Sequence, residues 1–184
     1  MEKYVFEAMM QMGYEKEAMA RHQKRFARMV NYPGFTTLFE GWGIGAEGYG
    51  GGTVNHAWSG GGLTILSQYV CGIAPLKPGF ELFQVMPQPG HLTEASTTFE
   101  SVKGIIRSSF KKQETGMEIK VSVPTSTHAI VGVPSQRVKR IKLNGKLVWQ
   151  NGKYLKDNKL LAQLQANRIG FEVAQGEWSF TAEY

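Results

Sequence analysis

The sequence predicts an α+β chain in two parts: a helical segment over residues 1–74 and an antiparallel β-sandwich over residues 75–184. Three observations carry this reading. Apolar residues in the first thirty positions recur with the period of a helix. Beyond residue 80 they alternate with polar residues at period two, the habit of half-buried strands. Between the two textures lies "APLKPGF" (74–80), whose two prolines and one glycine mark a junction.

The elements can be justified in order. "YVFEAMMQM" predicts a first helix that stops at Gly13, a residue suited to a helix C-terminus. "YEKEAMARHQKRFARMV" predicts a second from Tyr14 to Val30, with Met19, Phe26 and Val30 on one face and charges opposite. Pro33 and Gly34 end it, and the pair makes a helical hairpin. "NHAWSGGGLTILSQYVCGI" predicts a third helix, buried around Leu63, Ile65, Leu66 and Val70. Three helices bury too little surface for an independent core. The segment therefore reads as the last part of a larger helical architecture. Its apolar face, built from Met9, Met19, Phe26, Leu63 and Leu66, is expected to self-associate.

Strands are predicted over "MEIKVSV" (117–123) and "HAIVGV" (128–133). "RIKLNGKLVW" (140–149) predicts a hairpin turning at Asn144-Gly145, and "IGFEVAQGEWSFTAEY" (169–184) a second turning near Gln175-Gly176. Short strands at this spacing suggest a sandwich.

Bulk properties narrow the function. A hydrophobic content of 42% supports a real core rather than a disordered chain. The single cysteine, Cys71, excludes an internal disulfide and a cysteine metal cluster. It lies in an apolar run and is expected to be a buried structural thiol. The net charge of +6 is uneven: residues 1–100 carry seven Lys/Arg against nine Asp/Glu, and residues 101–184 carry fourteen against six. The basic residues alternate with apolar ones, as in "VKRIKL" (138–143), which describes the solvent face of a strand rather than a nucleic-acid surface. No apolar run reaches the ~18 residues of a membrane span. Neither nucleic acid nor membrane is expected as a partner. His22, His56, His91 and His128 show no metal-ligand spacing, so no metal and no cofactor is expected.

The chemistry concentrates in residues 31–62, "NYPGFTTLFEGWGIGAEGYGGGTVNHAWSGGG". Seven of the twelve residues from Gly41 to Gly52 are glycine, which lets backbone approach another group closely. Glu40 stands between Phe39 and Trp42, and carboxylates among aromatic rings suit a sugar site, where rings stack and acids move protons. Asn55-His56 beside the same loop supplies hydrogen bonds for hydroxyl groups. Taken singly, each residue has a structural reading too: a solvated glutamate, a core histidine, packed tryptophans. Glu47 reads as a solvated loop acid.

The ordered set "TTLFEGW", a Gly-rich loop, "NHAW", a helix ending in "CGIAPLKPGF", then "VKGIIRSSF" and a closing "FEVAQGEWSF" resembles the C-terminal end of α-L-rhamnosidases, glycoside hydrolase family 78. The resemblance runs from about Tyr4 to Tyr184. It implies that residues 1–74 are the terminal helices of an (α/α)6 toroid and residues 75–184 a C-terminal β-sandwich. It implies an inverting hydrolase acting on a rhamnose-containing glycan or glycoside. Glu40 would be the general base, His56 and Asn55 would bind substrate, and Trp42 and Trp58 would line the pocket. Phe39 departs from the family pattern, which has tryptophan there. An inverting glycosidase needs a second carboxyl as general acid. The resemblance places that acid on an earlier segment, outside these 184 residues, and Glu2, Glu7, Glu15 and Glu17 on the helices are poor substitutes. The chain alone is then expected to be inactive. Two other readings stay open: a stand-alone β-sandwich binding or interaction module with a helical pairing arm, and a toroid glycosidase of different sugar specificity.

Overall fold

The computed structural model describes residues 2–42, 52–155 and 167–184. It is an α+β chain that divides into two compact units, Met1–Leu66 and Ser67–Tyr184. The division falls ahead of the proline-rich stretch at 74–80, because "CGIAP" already pairs as a strand of the second unit.

In the helical unit, α1 (Glu2–Gln11) and α2 (Glu15–Val30) form the hairpin that the periodicity predicts. The turn is closed by Gly13 N–H donating to Met10 O and Tyr14 N–H to Met9 O. Phe6, Met10, Met19, Phe26 and Met29 are buried. Val30, expected on the same face, is 69% exposed at the helix end. Phe6, His22 and Phe26 form a ring cluster, with centroids 5.3 Å apart for Phe6–His22 and 4.7 Å for His22–Phe26.

The expected third helix is broken into three short pieces: a 3₁₀ turn at Ala57–Gly60, α3 at Gly61–Ile65 and a π-helical turn at Leu66–Val70. Three glycines in a row leave the backbone little intrinsic preference for regular helix. Ile65 and Val70 are buried as expected, whereas Leu63 is 64% exposed. Met19 and Phe26 of the expected apolar face turn inward and Leu63 outward; the other exposed apolar side chains of this unit include Tyr4, Val5, Met12, Val30 and Trp58.

Among the described residues, the second unit is a large sheet of nine strands. They are β1 (Ile73–Pro75), β2 (Leu82–Val85), β3 (Glu94–Ser101), β4 (Gly104–Gln113), β5 (Gly116–Pro134), β6 (Arg140–Leu143), β7 (Lys146–Gln150), β8 (Lys153–Tyr154) and β9 (Arg168–Glu183). Two details differ from the sequence reading. The strands join in one continuous hydrogen-bonded sheet, and β2 runs parallel to β5 within an otherwise antiparallel arrangement. Both follow from strand length. The two strands predicted at 117–123 and 128–133 are one 19-residue strand, whose first half pairs with β4 and whose second half pairs with β2.

Likewise the hairpin predicted at 169–184 is a single 16-residue strand, β9, paired with β5 along its length. Gln175-Gly176 is not a turn. It lies opposite the register shift between Val123 and His128, where Gln175 Oε1 accepts from Ser126 N–H at 3.1 Å. The hairpin at Asn144-Gly145 is as predicted: both residues have positive φ (46° and 80°), the conformation of a tight two-residue turn between β6 and β7. The core of the sheet unit holds Phe83, Val85, Ile106, Ile119, Val131, Phe171 and Phe180, each at most 2% exposed.

Cys71 is buried, and burial pushes its thiol up to about 11. Its carbonyl accepts from Ser108 Oγ at 2.8 Å, which fits the structural role expected of it.

Candidate active site

Glu40 is fixed by chain that returns to it after the Gly-rich stretch. Its N–H donates to Thr53 O at 2.9 Å, and His56 N–H donates to Leu38 O at 3.0 Å. Thr37 Oγ1 donates to Val54 O, and Ser59 Oγ to Phe39 O. These bonds hold residues 37–40, which lie in no helix or strand, against 53–59, which enter the 3₁₀ turn at Ala57–Gly60.

The Glu40 carboxylate is 47% exposed. Its Oε2 accepts from Thr53 N–H at 3.2 Å and lies 3.7 Å from His56 Nδ1. The same Nδ1 is 2.9 Å from Thr53 Oγ1. A side chain at position 52 would have no room, since a Cβ there would sit 2.5 Å from Glu40 Oε2. Gly52 thus permits the close approach of backbone and another group that the glycine content suggested, although the group is the chain's own Glu40 carboxylate.

A cavity of about 230 Å³ opens beside this cluster, lined by Glu40, Trp42 and Trp58 together with Glu2, Tyr4 and Phe26. Trp42 packs edge-on against Phe26 at 5.4 Å, and the Arg25 guanidinium lies 5.4 Å from the centre of its ring. Trp58 is 61% exposed. Glu2 is bound by Arg21 through two bonds of 2.9 and 2.5 Å, with Arg25 at 3.6 Å. The bond to Glu2 raises the Arg21 guanidinium above its ordinary value. These contacts occupy the Glu2 carboxylate with arginine rather than leaving it turned freely to the cavity.

The structure brings Glu40, Trp42 and Trp58 to one cavity and sets His56 against the Glu40 carboxylate. Asn55 is exposed. Neither Asn55 nor His56 is among the described residues that line the cavity. Phe39, read as flanking the acid, instead points inward at 2% exposure, packed edge-on against Tyr32 and Phe35. Glu47 and Tyr49 lie outside the described residues. Sequence reasoning missed Thr53, whose only signal is its place just ahead of Asn55-His56, and the cavity-lining role of Glu2 and Tyr4, which reach the cavity through the fold of α1.

Comparison with known proteins finds relatives of one kind. Residues 72–147 match the model of the bacterial α-L-rhamnosidase C-terminal domain. The chain as a whole resembles the C-terminal part of α-L-rhamnosidases. It is 29% identical over 157 residues to an α-L-rhamnosidase of Formosa agariphila, covering 82% of this chain and 16% of that protein. It is also 29% identical over 131 residues to one of Streptomyces avermitilis, covering 66% of this chain and 12% of that one. The chain therefore spans less than a fifth of the length of these relatives. The fold of an α-L-rhamnosidase from Dictyoglumus thermophilum superposes on all of this chain and on 20% of its own, with a TM-score of 0.84 at 23% identity. The S. avermitilis enzyme complexed with L-rhamnose superposes on 79% of this chain and 14% of its own, with a TM-score of 0.60 at 25% identity.

Proposed function

We propose that this chain serves as the C-terminal portion of an inverting α-L-rhamnosidase of glycoside hydrolase family 78, acting on a rhamnose-containing glycan or glycoside. In this reading the helical unit closes an (α/α)6 toroid. Glu40 activates the water that attacks the anomeric carbon. His56 and Asn55 hold sugar hydroxyls, and Trp42 and Trp58 offer rings to the sugar face. The observation that carries the reading is the placement of the half-exposed Glu40 carboxylate on a cavity walled by Trp42 and Trp58, with His56 Nδ1 3.7 Å from its Oε2.

A general base must reach its water, and Glu40 is accessible enough to do so. An inverting reaction places the two carboxyl groups about 6.5–9.5 Å apart with water between them. Among the described residues Glu2 is the other carboxylate lining the cavity, and it is bound to Arg21; in this reading the acid comes from another segment. The isolated chain should accordingly show no measurable turnover of an aryl rhamnoside.

The test uses a full-length enzyme that carries this sequence as its C-terminal part. Glu40→Gln keeps the shape of the side chain but cannot take a proton from water. It should lower kcat by roughly 10²–10⁴-fold, the usual cost of losing a general base. His56→Ala should raise KM as well as lower kcat, because it removes binding and orientation. Glu47→Gln should stay near wild type. Turnover that survives Glu40→Gln within a few-fold but disappears in Glu47→Gln would put the base on the other glutamate.

A further inference from the structure

We infer that Thr53 is a positioning residue that couples Glu40 to His56, holding the imidazole where the Glu40 carboxylate selects which ring nitrogen carries the proton; the inference rests on the reading of Glu40 and His56 as site residues. Thr53 meets this pair through three different groups. Its carbonyl accepts from Glu40 N–H at 2.9 Å, its N–H donates to Glu40 Oε2 at 3.2 Å, and its hydroxyl lies 2.9 Å from His56 Nδ1. The first two bonds fix both the backbone and the carboxylate of the acid. The third ties the ring to the same residue.

Geometry then selects a tautomer. His56 Nδ1 faces two oxygens, the Thr53 hydroxyl at 2.9 Å and Glu40 Oε2 at 3.7 Å. An ionised carboxylate can only accept. The Thr53 hydroxyl can accept from Nδ1–H or donate to a bare Nδ1, so the carboxylate decides: it attracts a proton on Nδ1 and repels a lone pair there. The neutral ring carries Nδ1–H, donates it to Thr53 Oγ1, and keeps Nε2 as an acceptor for a ligand hydroxyl. Gly52 is part of the device: a Cβ at that position would lie 2.5 Å from Glu40 Oε2 and 2.9 Å from its Cδ, displacing the carboxylate from the Thr53 N–H.

The experiment needs no turnover. In the chain itself, labelled with nitrogen-15 and held at a pH where the ring is neutral, the side-chain spectrum of His56 reports the tautomer directly. Wild type should show Nδ1–H as the major form. Thr53→Val keeps the branched shape and the N–H but removes the hydroxyl, and should shift the population towards Nε2–H. Thr53→Ser restores the hydroxyl and should restore the wild-type pattern, a rescue that a purely steric role would not give. Gly52→Ala leaves the hydroxyl in place and should perturb the Glu40 carboxylate signal instead.

A wild-type ring already in the Nε2–H form, a population unmoved by Thr53→Val, or a failure of Thr53→Ser to rescue would each overturn the assignment. Titration with L-rhamnose separates this from the sugar reading. If the tautomer follows Thr53 but L-rhamnose moves neither the Glu40 nor the His56 signals, the bridge stands and the glycan site falls.

Discussion

In the sheet unit, β5 and β9 exchange backbone hydrogen bonds along almost their whole length, interrupted once at Val123–His128. In the helical unit, residues 37–40 and 53–59 are joined by isolated bonds, several of them from Thr or Ser hydroxyls to carbonyls. A ladder makes each bond depend on its neighbours, so it tolerates little displacement. Isolated bonds fix single groups and leave the rest of the chain to follow its side chains. The candidate chemistry sits in the second kind of structure. A carboxylate, an imidazole and a hydroxyl can be aimed at one another only where the backbone is not committed to a regular repeat. Function-bearing groups on loops supported by a regular scaffold are the general pattern.

This contrast is broken most severely by removing a buried ring from the ladder. Phe180 is 1% exposed and packs on Phe171 at 5.3 Å, on the strand that both β5 and β6 use as a partner. Phe180→Ala should cost about 3–5 kcal/mol, from lost transfer energy plus the cavity left behind. Chemical denaturation followed by the strand signal should show a midpoint shift of that size. Val102→Ala, in the 84% exposed turn between β3 and β4, should change stability by less than about 0.5 kcal/mol. A Phe180→Ala chain as stable as Val102→Ala would mean that the sheet does not depend on its core in the way proposed.

A smaller effect is expected from overpacking the helical unit. Gly62 lies against the Phe26 ring, and a Cβ there would sit 2.7 Å from Cζ and 2.9 Å from Cε2. The ring has little freedom to retreat, since His22 is 4.7 Å from it on one side and Trp42 5.4 Å on another. Gly62→Ala should destabilise by about 1–3 kcal/mol. Because Phe26 and Gly62 both line the cavity, the substitution should also alter tryptophan fluorescence. Thermal melts with unchanged fluorescence would indicate a looser cluster.

What could be read from the sequence divides along the same line. The α+β class, the helical hairpin at Gly13 and the Asn144-Gly145 turn follow from local signals, namely period, cap residue and turn dipeptide. The long strands were misread because "AQGEW" carries a turn-like glycine. Only the non-local pairing with β5 shows that Gly176 absorbs a register shift instead of reversing the chain. The third helix failed for a related reason: Gly60, Gly61 and Gly62 remove the local preference that the apolar pattern assumed. In the candidate site, Glu40, Trp42 and Trp58 were legible as residue types near a glycine loop. Thr53 and Glu2 were not, since the first acts through its backbone and the second arrives from a helix some forty positions away in sequence.

The smallest effect sharpens the comparison by pH, because each unit carries a differently shifted group. In the helical unit, burial lowers His22 below its ordinary value, against the opposing effect of its Nε2–H bond to Gly62 O at 3.1 Å. The unfolded chain therefore takes up this proton more readily than the folded one. The His22 contribution is fully present above the ordinary value of about 6.5 and is lost as pH falls below it through the lowered folded value. In the sheet unit, the bond from Lys142 lowers the Glu183 carboxyl, and Arg140 adds to it, with both contacts at 2.6 Å. That contribution is present above the ordinary glutamate value of about 4.3 and is lost only as pH falls below it. Glu183 is partly buried but the side chains of its partners Arg140 and Lys142 are more exposed, so salt should weaken the effect. Acid titration followed by amide signals should therefore disturb the helical unit first and the sheet unit later. His22→Gln should abolish the first step and leave the second, and Glu183→Gln should do the reverse. A single step with one midpoint for both sets of signals, unmoved by either substitution, would show that these two groups do not set the acid response.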